Sequence, residues 1–309
     1  MERSYLNKKV RLFLKLIFIL SLILLFDRGI GIVLKHAYLS QKHGQRSRTT
    51  YAIDSTLAEI LILGSSRASH SYIPEIFENK LHYSCYNAGM EGISILYSYA
   101  IFKAITKRFN PKLIIFDIGP YELNYSTSEY ERLSVLLPYF QKHPEIKKII
   151  NLRGPFENVK HFSTLYLYNS LIFEIVAGNL ESKHRVLDMN GYVPLNGTIN
   201  KEKIDTLRIS NCITDENKIK ALKDIIATCK QRNINLIFVY SPIRHIYYDN
   251  NCNTILSELF SGNGISYLDM SNHPIFMNNS TYFNDFDHLN DKGARIFSNM
   301  LVDKILQTN

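Results

Sequence analysis

Little in this chain offers a metal or redox site. Its four cysteines (Cys85, Cys212, Cys229 and Cys252) include no C-x-x-C pair, which excludes the zinc and dithiol motifs built on that spacing. Their even number permits disulfides in an oxidising compartment. Cys212 and Cys252 stand in polar surroundings and are the better matched pair, whereas Cys85 lies in an apolar pattern and reads as a buried thiol. Also missing is a basic surface over most of the chain. The formal charge is +8, but ten of the 36 Lys/Arg residues fall within residues 1–50 against only Glu2 and Asp27, and beyond residue 50 the charges balance. Nucleic-acid-binding domains carry their own cationic face, so no nucleic acid is expected as a partner. Neither an internal repeat nor a low-complexity tract is present, which removes solenoids and disordered tails.

One long apolar run is present, and it lies near the N-terminus. Leu16 to Phe26 contains a single polar residue, Ser21, and apolar character resumes after Asp27-Arg28 with Ile30, Ile32, Val33 and Leu34. A membrane helix needs about 20 residues. The window from Val10 to Ile30 supplies them if Lys15 snorkels to the interface. A cleaved signal peptide is the competing reading, but only Gly29-Ile30-Gly31 has small-x-small spacing, and more apolar residues follow it directly. The expected organisation is a cytoplasmic flank and uncleaved transmembrane anchor over 1–40, a polar linker over 41–56, and one domain over 57–309. Basic residues stand on both sides of the run (Arg3, Lys8, Lys9, Arg11 and Lys15 before it; Arg28, Lys35, Lys42, Arg46 and Arg48 after), so charge does not orient it.

Beyond residue 57 the pattern alternates between strand and helix. Glu59 to Leu63, His82 to Tyr86, Lys112 to Asp117, Asn235 to Tyr240 and Ile265 to Met270 read as strands. Ile93 to Phe109, Asp215 to Arg232 and a last segment after Asn290 read as helices. Continuous apolar strands separated by helices imply a parallel sheet covered on both faces, an α/β architecture. Ligands of such sheets bind at the C-terminal strand ends. Gly64-Ser65-Ser66, Asn87-Ala88-Gly89 and Asp117-Ile118-Gly119-Pro120 all lie at those ends. Residues 120–214 break the rhythm and read as a helical insertion rich in Tyr and Phe. Its aromatics either form its own core or line a cleft above the sheet that stacks on sugar rings.

The chemistry-bearing residues sit at these element ends. Ser66 closes the first strand, and Asp285-Phe286-Asp287-His288 precedes the final helix. A serine hydroxyl becomes a nucleophile when a histidine takes its proton, and the histidine needs a carboxylate to fix its tautomer. His288 lies before a helix N-terminus, which disfavours the imidazolium, and a buried Asp285 would offset that. Asp287 is a poorer partner, since an adjacent residue reaches its neighbour's ring badly. A metal site from Asp285, Asp287 and His288 lacks the ligand spacing of known sites, so no metal and no cofactor are expected.

The serine turn, the Asn-Ala-Gly turn and the terminal D-x-x-H, in this order on an alternating fold, resemble the SGNH (GDSL-like) hydrolase superfamily. Within it, the chain is similar to membrane-anchored members that transfer D-alanine in teichoic acids or handle O-acetyl groups on exopolysaccharides. The resemblance covers about residues 57–120 and 215–307. It implies a flavodoxin-like three-layer α/β/α fold (the SGNH hydrolase fold), a catalytic triad of Ser66, Asp285 and His288, and an oxyanion hole from the N–H groups of Ser66 and Gly89. The family's third motif falls on Gly119-Pro120-Tyr121-Glu122 and lacks its asparagine, leaving Tyr121 or Asn124 to supply that donor. The implied protein is a serine esterase or O-acyltransferase, held in the plasma (inner) membrane with its domain periplasmic or extracellular. Its substrate class would be acyl esters of surface polysaccharide or glycolipid, with a membrane-bound partner as acyl donor. The alternative is a noncatalytic, SGNH-shaped subunit of a polysaccharide export or modification complex, favoured by the missing asparagine.

Overall fold

The computed structural model describes residues 2–180, 190–199, 205–208, 213–248 and 251–308. Its N-terminal helix α1 (Glu2–Leu39) is followed by α2 (Gly44–Asp54), β1 (Ile60–Leu63), α3 (Ser66–Ser71), α4 (Pro74–Leu81), β2 (Cys85–Asn87), α5 (Ile95–Arg108) and β3 (Leu113–Asp117). The insertion then holds 3-10 turns and short helices, α6 (Thr127–Arg132), α7 (Lys147–Ile150), α8 (Glu157–Lys160) and α9 (Ile172–Leu180), and strand β4 (Asp205–Arg208). The remaining elements are α10 (Glu216–Arg232), β5 (Asn235–Tyr240), β6 (His245–Tyr248), α11 (Cys252–Ser261), β7 (Ser266–Asp269), α12 (Pro274–Met277) and α13 (Asp291–Thr308).

Five strands form one parallel sheet in the order β2-β1-β3-β5-β7. With β4 and β6 set aside, since they pair with each other in a separate two-stranded sheet, this is the 2-1-3-4-5 order of doubly wound sheets. The chain reverses its direction of winding between β1 and β3, the point at which sheets of this order bind ligands.

The uniform apolar strands follow from burial on both faces. Leu61, Leu63, Ile114, Phe116, Leu236 and Phe238 enter one core with α2, α5, α10, α11 and the insertion. Their neighbours Ile60, Ile62, Leu113, Ile115 and Val239 enter a second core with α3, α4, α12 and α13. Successive strand residues point to opposite faces, so an alternating polar pattern would have buried polar groups on one side. Helix ends obey their caps. Asp215 accepts from the N–H groups of Asn217 and Lys218 at the start of α10, and Asn290 Oδ1 accepts from Gly293 N–H at the start of α13.

Three features differ from the sequence expectation. Residues 41–56 are not a free linker, because α2 buries Thr49, Ala52 and Ile53 against the domain. The second strand starts late, at Cys85, since His82 takes the left-handed conformation that ends α4. The insertion's aromatics divide: Tyr130, Tyr139, Tyr168 and Tyr192 are buried, while Tyr125, Phe156, Phe162 and Phe173 are exposed. Cys85 and Cys229 are buried free thiols and Cys252 is disulfide-bonded, while Cys212 lies outside the described residues.

α1 is long and apolar enough to cross a membrane, and its side chains from Val10 to Phe26 are exposed. Its last turns pack on the domain instead, where Tyr38 is buried and its hydroxyl lies 3.1 Å from that of Tyr139.

Candidate active site

At the end of β1 the chain turns through Gly64, whose φ of 144° is open only to glycine, and enters α3 at Ser66. A Cβ on Gly64 would also meet the Asp117 carbonyl at 2.9 Å, so β3 runs close behind this turn. Ser65 occupies the N-cap position of α3 without a side-chain cap bond. The hydroxyl of Ser66 is thus presented at a helix start, above the C-terminal edge of the sheet.

His288 reaches it from the loop before α13. A backbone bridge between Phe283 and Leu289 and the bond from Asn284 N–H to the His288 carbonyl close this loop. Asn290 staples its base by donating to the Gly197 and Thr281 carbonyls at 3.0 and 2.8 Å. Ser66 Oγ donates to His288 Nε2 at 2.7 Å, and His288 Nδ1 donates to Asp285 Oδ1 at 2.8 Å. All three residues sit in one hydrogen-bonded chain, in which Ser66 and His288 are 222 residues apart in sequence.

Asp285 is well supplied with donors. Its Oδ1 also accepts from the N–H groups of Asp287 and His288, and Oδ2 accepts from the Asn284 amide. Partial burial works to raise this carboxyl, but the bonds from the His288 ring and the Asn284 amide outweigh it and hold the group well below the usual carboxylate range. The side chain is 47% exposed rather than buried, so its negative charge is sustained by donors and water together. Asp287 turns elsewhere, its carboxylate 3.5 Å from His245 Nε2. Among the described residues no cluster of His, Cys, Asp or Glu is placed to hold a metal ion.

The expected oxyanion donors fare unevenly. Ser66 N–H is one of the orphan donors of the first turn of α3. Gly89 N–H, in contrast, donates to Asn87 Oδ1 at 2.9 Å, so this bond stands where an oxyanion was expected to take it. The Asn87 amide nitrogen meanwhile donates to the Ala68 and Tyr72 carbonyls, which clamps this turn to α3. Glycine is required at 89 for contact: a Cβ would lie 2.6 Å from Ser69 N and 2.7 Å from Ala68 Cβ. Asn124 does not approach the triad through any hydrogen bond among the described residues. It bridges to Thr214, its carbonyl accepts from Lys218, and its side-chain oxygen faces Cys252 Sγ at 3.9 Å. The Tyr121 hydroxyl accepts from Arg67 Nη1, one residue beyond Ser66.

That arginine is the centre of a network with no expected role in the sequence reading. Arg67 is 1% exposed and donates to Asp117 Oδ1 at 2.7 Å and Glu122 Oε2 at 3.4 Å. Its guanidinium lies 5.2 Å from the Tyr121 ring centroid and 5.3 Å from that of Tyr240. Tyr72 donates to the second Asp117 oxygen at 2.6 Å. Burial alone would push the guanidinium down; the charges of Asp117 and Glu122 more than reverse it. Burial in turn raises the Glu122 carboxyl, against the pull of Arg67. His70, also unforeseen, meets the His288 ring edge-on at 5.4 Å, with its nitrogens toward the Val193 carbonyl and the Glu91 carboxylate. The only sequence signal for this shell was adjacency: Arg67 follows the serine and Glu122 follows Tyr121.

No protein-family model matches this chain, and no curated protein sequence matches it significantly.

Proposed function

We propose that this chain is a membrane-anchored serine esterase or O-acyltransferase of the SGNH (GDSL-like) kind, acting on acyl esters of cell-surface polysaccharide or glycolipid. The observation that carries this reading is the hydrogen-bonded chain from Ser66 through His288 to Asp285. In it, His288 takes the Ser66 proton as the oxygen attacks the acyl carbonyl, and Asp285 stabilises the resulting imidazolium. Collapse of the tetrahedral species returns the proton to the leaving alkoxide and leaves the acyl group on Ser66. Water or a sugar hydroxyl, deprotonated in turn by His288, then accepts it. The helix-start N–H of Ser66 is the donor ready for the oxyanion; Gly89 N–H joins it by releasing Asn87 Oδ1. The strand order supports the three-layer fold of that superfamily, and the disulfide at Cys252 suits a domain outside the cytoplasm.

A fluorophosphonate probe tests this reading on the full chain in detergent. It should label the wild type and Ser65→Ala but not Ser66→Ala. Equal labelling of Ser66→Ala would remove the nucleophile. A wild-type protein that resists the probe would favour the noncatalytic subunit, a reading to which the engaged Gly89 N–H lends its weight.

A further inference from the structure

The insertion contains a turn built inside out. In and around α8, Phe156, Val159 and Phe162 recur at three-residue steps and are 68%, 72% and 70% exposed. Of the four polar residues between them, Glu157 and His161 are buried, 1% and 6% exposed, while Asn158 and Lys160 face outward. Glu157 is satisfied inward by Arg153, Lys160 and the Tyr166 hydroxyl. A turn that buries its carboxylate and shows three large apolar side chains is arranged for surroundings less polar than water.

The same turn is locked to α1 at one height. The Asp27 carboxylate accepts from the Ser163 hydroxyl, from Thr164 N–H at 2.8 Å and from Leu165 N–H at 3.1 Å. Arg28 Nη2 donates to the Phe162 carbonyl at 2.9 Å, Nη1 donates to the Thr164 hydroxyl, and the guanidinium lies 5.6 Å from the Phe162 ring centroid. Asp27-Arg28 is also where the uninterrupted apolar run of α1 ends. Counting back to Lys9, with Arg11 and Lys15 snorkelling to that first interface, 18 helical steps rise about 27 Å, close to the roughly 30 Å of a hydrocarbon core. A bilayer spanned by this run therefore has its second boundary at the level of the turn.

We propose that the segment 156–162 docks into the lipid surface beside α1, with Phe156, Val159 and Phe162 in the headgroup and acyl boundary and Arg28 and Lys160 toward the phosphates. The proposal rests on α1 being a membrane anchor. Its occupant is lipid because the turn is continuous with the apolar surface of α1. Aromatic rings and snorkelling cations are the side chains that settle at that depth. Two points of attachment, the helix and the turn, then fix the tilt of the domain, where a helix alone would leave it free to swing.

The chain has no tryptophan, so a single introduced indole reports its own depth. Four variants of the full chain, Phe162→Trp, Phe156→Trp, Leu20→Trp and Ile275→Trp, are placed in nanodiscs of phosphatidylcholine and phosphatidylglycerol, with and without brominated acyl chains. Leu20 belongs to the α1 run, and Ile275 is an exposed residue of α12 on the opposite side of the sheet. Indoles at 156 and 162 should emit blue-shifted and lose much of their intensity in brominated discs, as at 20, while the indole at 275 should be unaffected. Quenching at 20 without quenching at 156 and 162 would overturn the docking and leave the anchor standing. Absence of quenching at 20 would overturn the anchor and the docking with it. Equal quenching at 275 would overturn the claim that this face is selected.

Discussion

Replacing Arg67 with methionine keeps most of the side chain's length and removes its charge. Two buried carboxylates, Asp117 at 2.7 Å and Glu122 at 3.4 Å, then lose their only described cationic neighbour in this network. Removing one member of a buried ion pair costs about 3–5 kcal/mol, because the partner charge stays desolvated. The two cation–π contacts contribute roughly a further 0.5–2 kcal/mol. Against a total stability of about 5–15 kcal/mol this is a large fraction. In a domain of this size a loss of 3–5 kcal/mol corresponds to a fall of roughly 6–20 °C in Tm. The loss should depend on pH with a definite sign. Burial already raises Glu122, and without Arg67 it rises further. A group raised in the folded state stabilises most below its unfolded pKa and loses that contribution as pH rises through the folded one. The deficit of Arg67→Met should therefore be smallest near pH 5 and largest near pH 8, and Arg67→Met/Asp117→Asn should recover part of it. Thermal melts of the full chain in detergent measure this directly. A variant within about 1 kcal/mol of the wild type at pH 8 would refute the reasoning, since it lies below every charge-pair cost expected of such a site.

Asp285→Asn should slow fluorophosphonate labelling by up to about 10⁴ and lower Tm near neutral pH, because the ring loses its tautomer partner and the fold loses a carboxylate held ionised by its donors; unchanged labelling would remove Asp285 from the relay. Asp285 is held below its ordinary pKa, so its contribution is complete above the usual carboxylate range and is lost as pH falls through the depressed value. The difference in melting between wild type and Asp285→Asn should accordingly close in acid, and a constant difference from pH 7 to pH 2 would contradict it. Gly89→Ala places a methyl against the Ser69 and Ala68 backbone, and should cost about 1–3 kcal/mol by overpacking and lower labelling through displacement of α3; a melt and a labelling rate like the wild type's would show that the two segments part freely.

What the sequence by itself determined is local. Runs such as Ile60-Leu61-Ile62-Leu63, short and closed by glycine, read as strands buried on both faces, and Asp215 and Asn290 announced their helices because an N-cap is a contact within one turn. Composition alone likewise marked the apolar run of α1 as a membrane-length helix. The order of motifs set Ser66 at the end of a strand and Asp285 and His288 before a helix. Tertiary structure decided which side chains meet. α2 escaped notice because only three of its residues are buried and they carry no amphipathic signature. The Arg67, Asp117 and Glu122 cluster was invisible because its members come from different elements, 50 and 55 residues apart, and no local pattern pairs them. Gly89 has no room for a side chain, and its N–H, expected to face an oxyanion, donates here to Asn87, two residues away, a contact that no sequence pattern announces. The inside-out turn at 156–162 shows the same limit from the other side. Sequence assigns apolar residues to the interior by default, and only the fold, by locking Phe162 to Arg28, set these three facing outward at the end of the apolar helix.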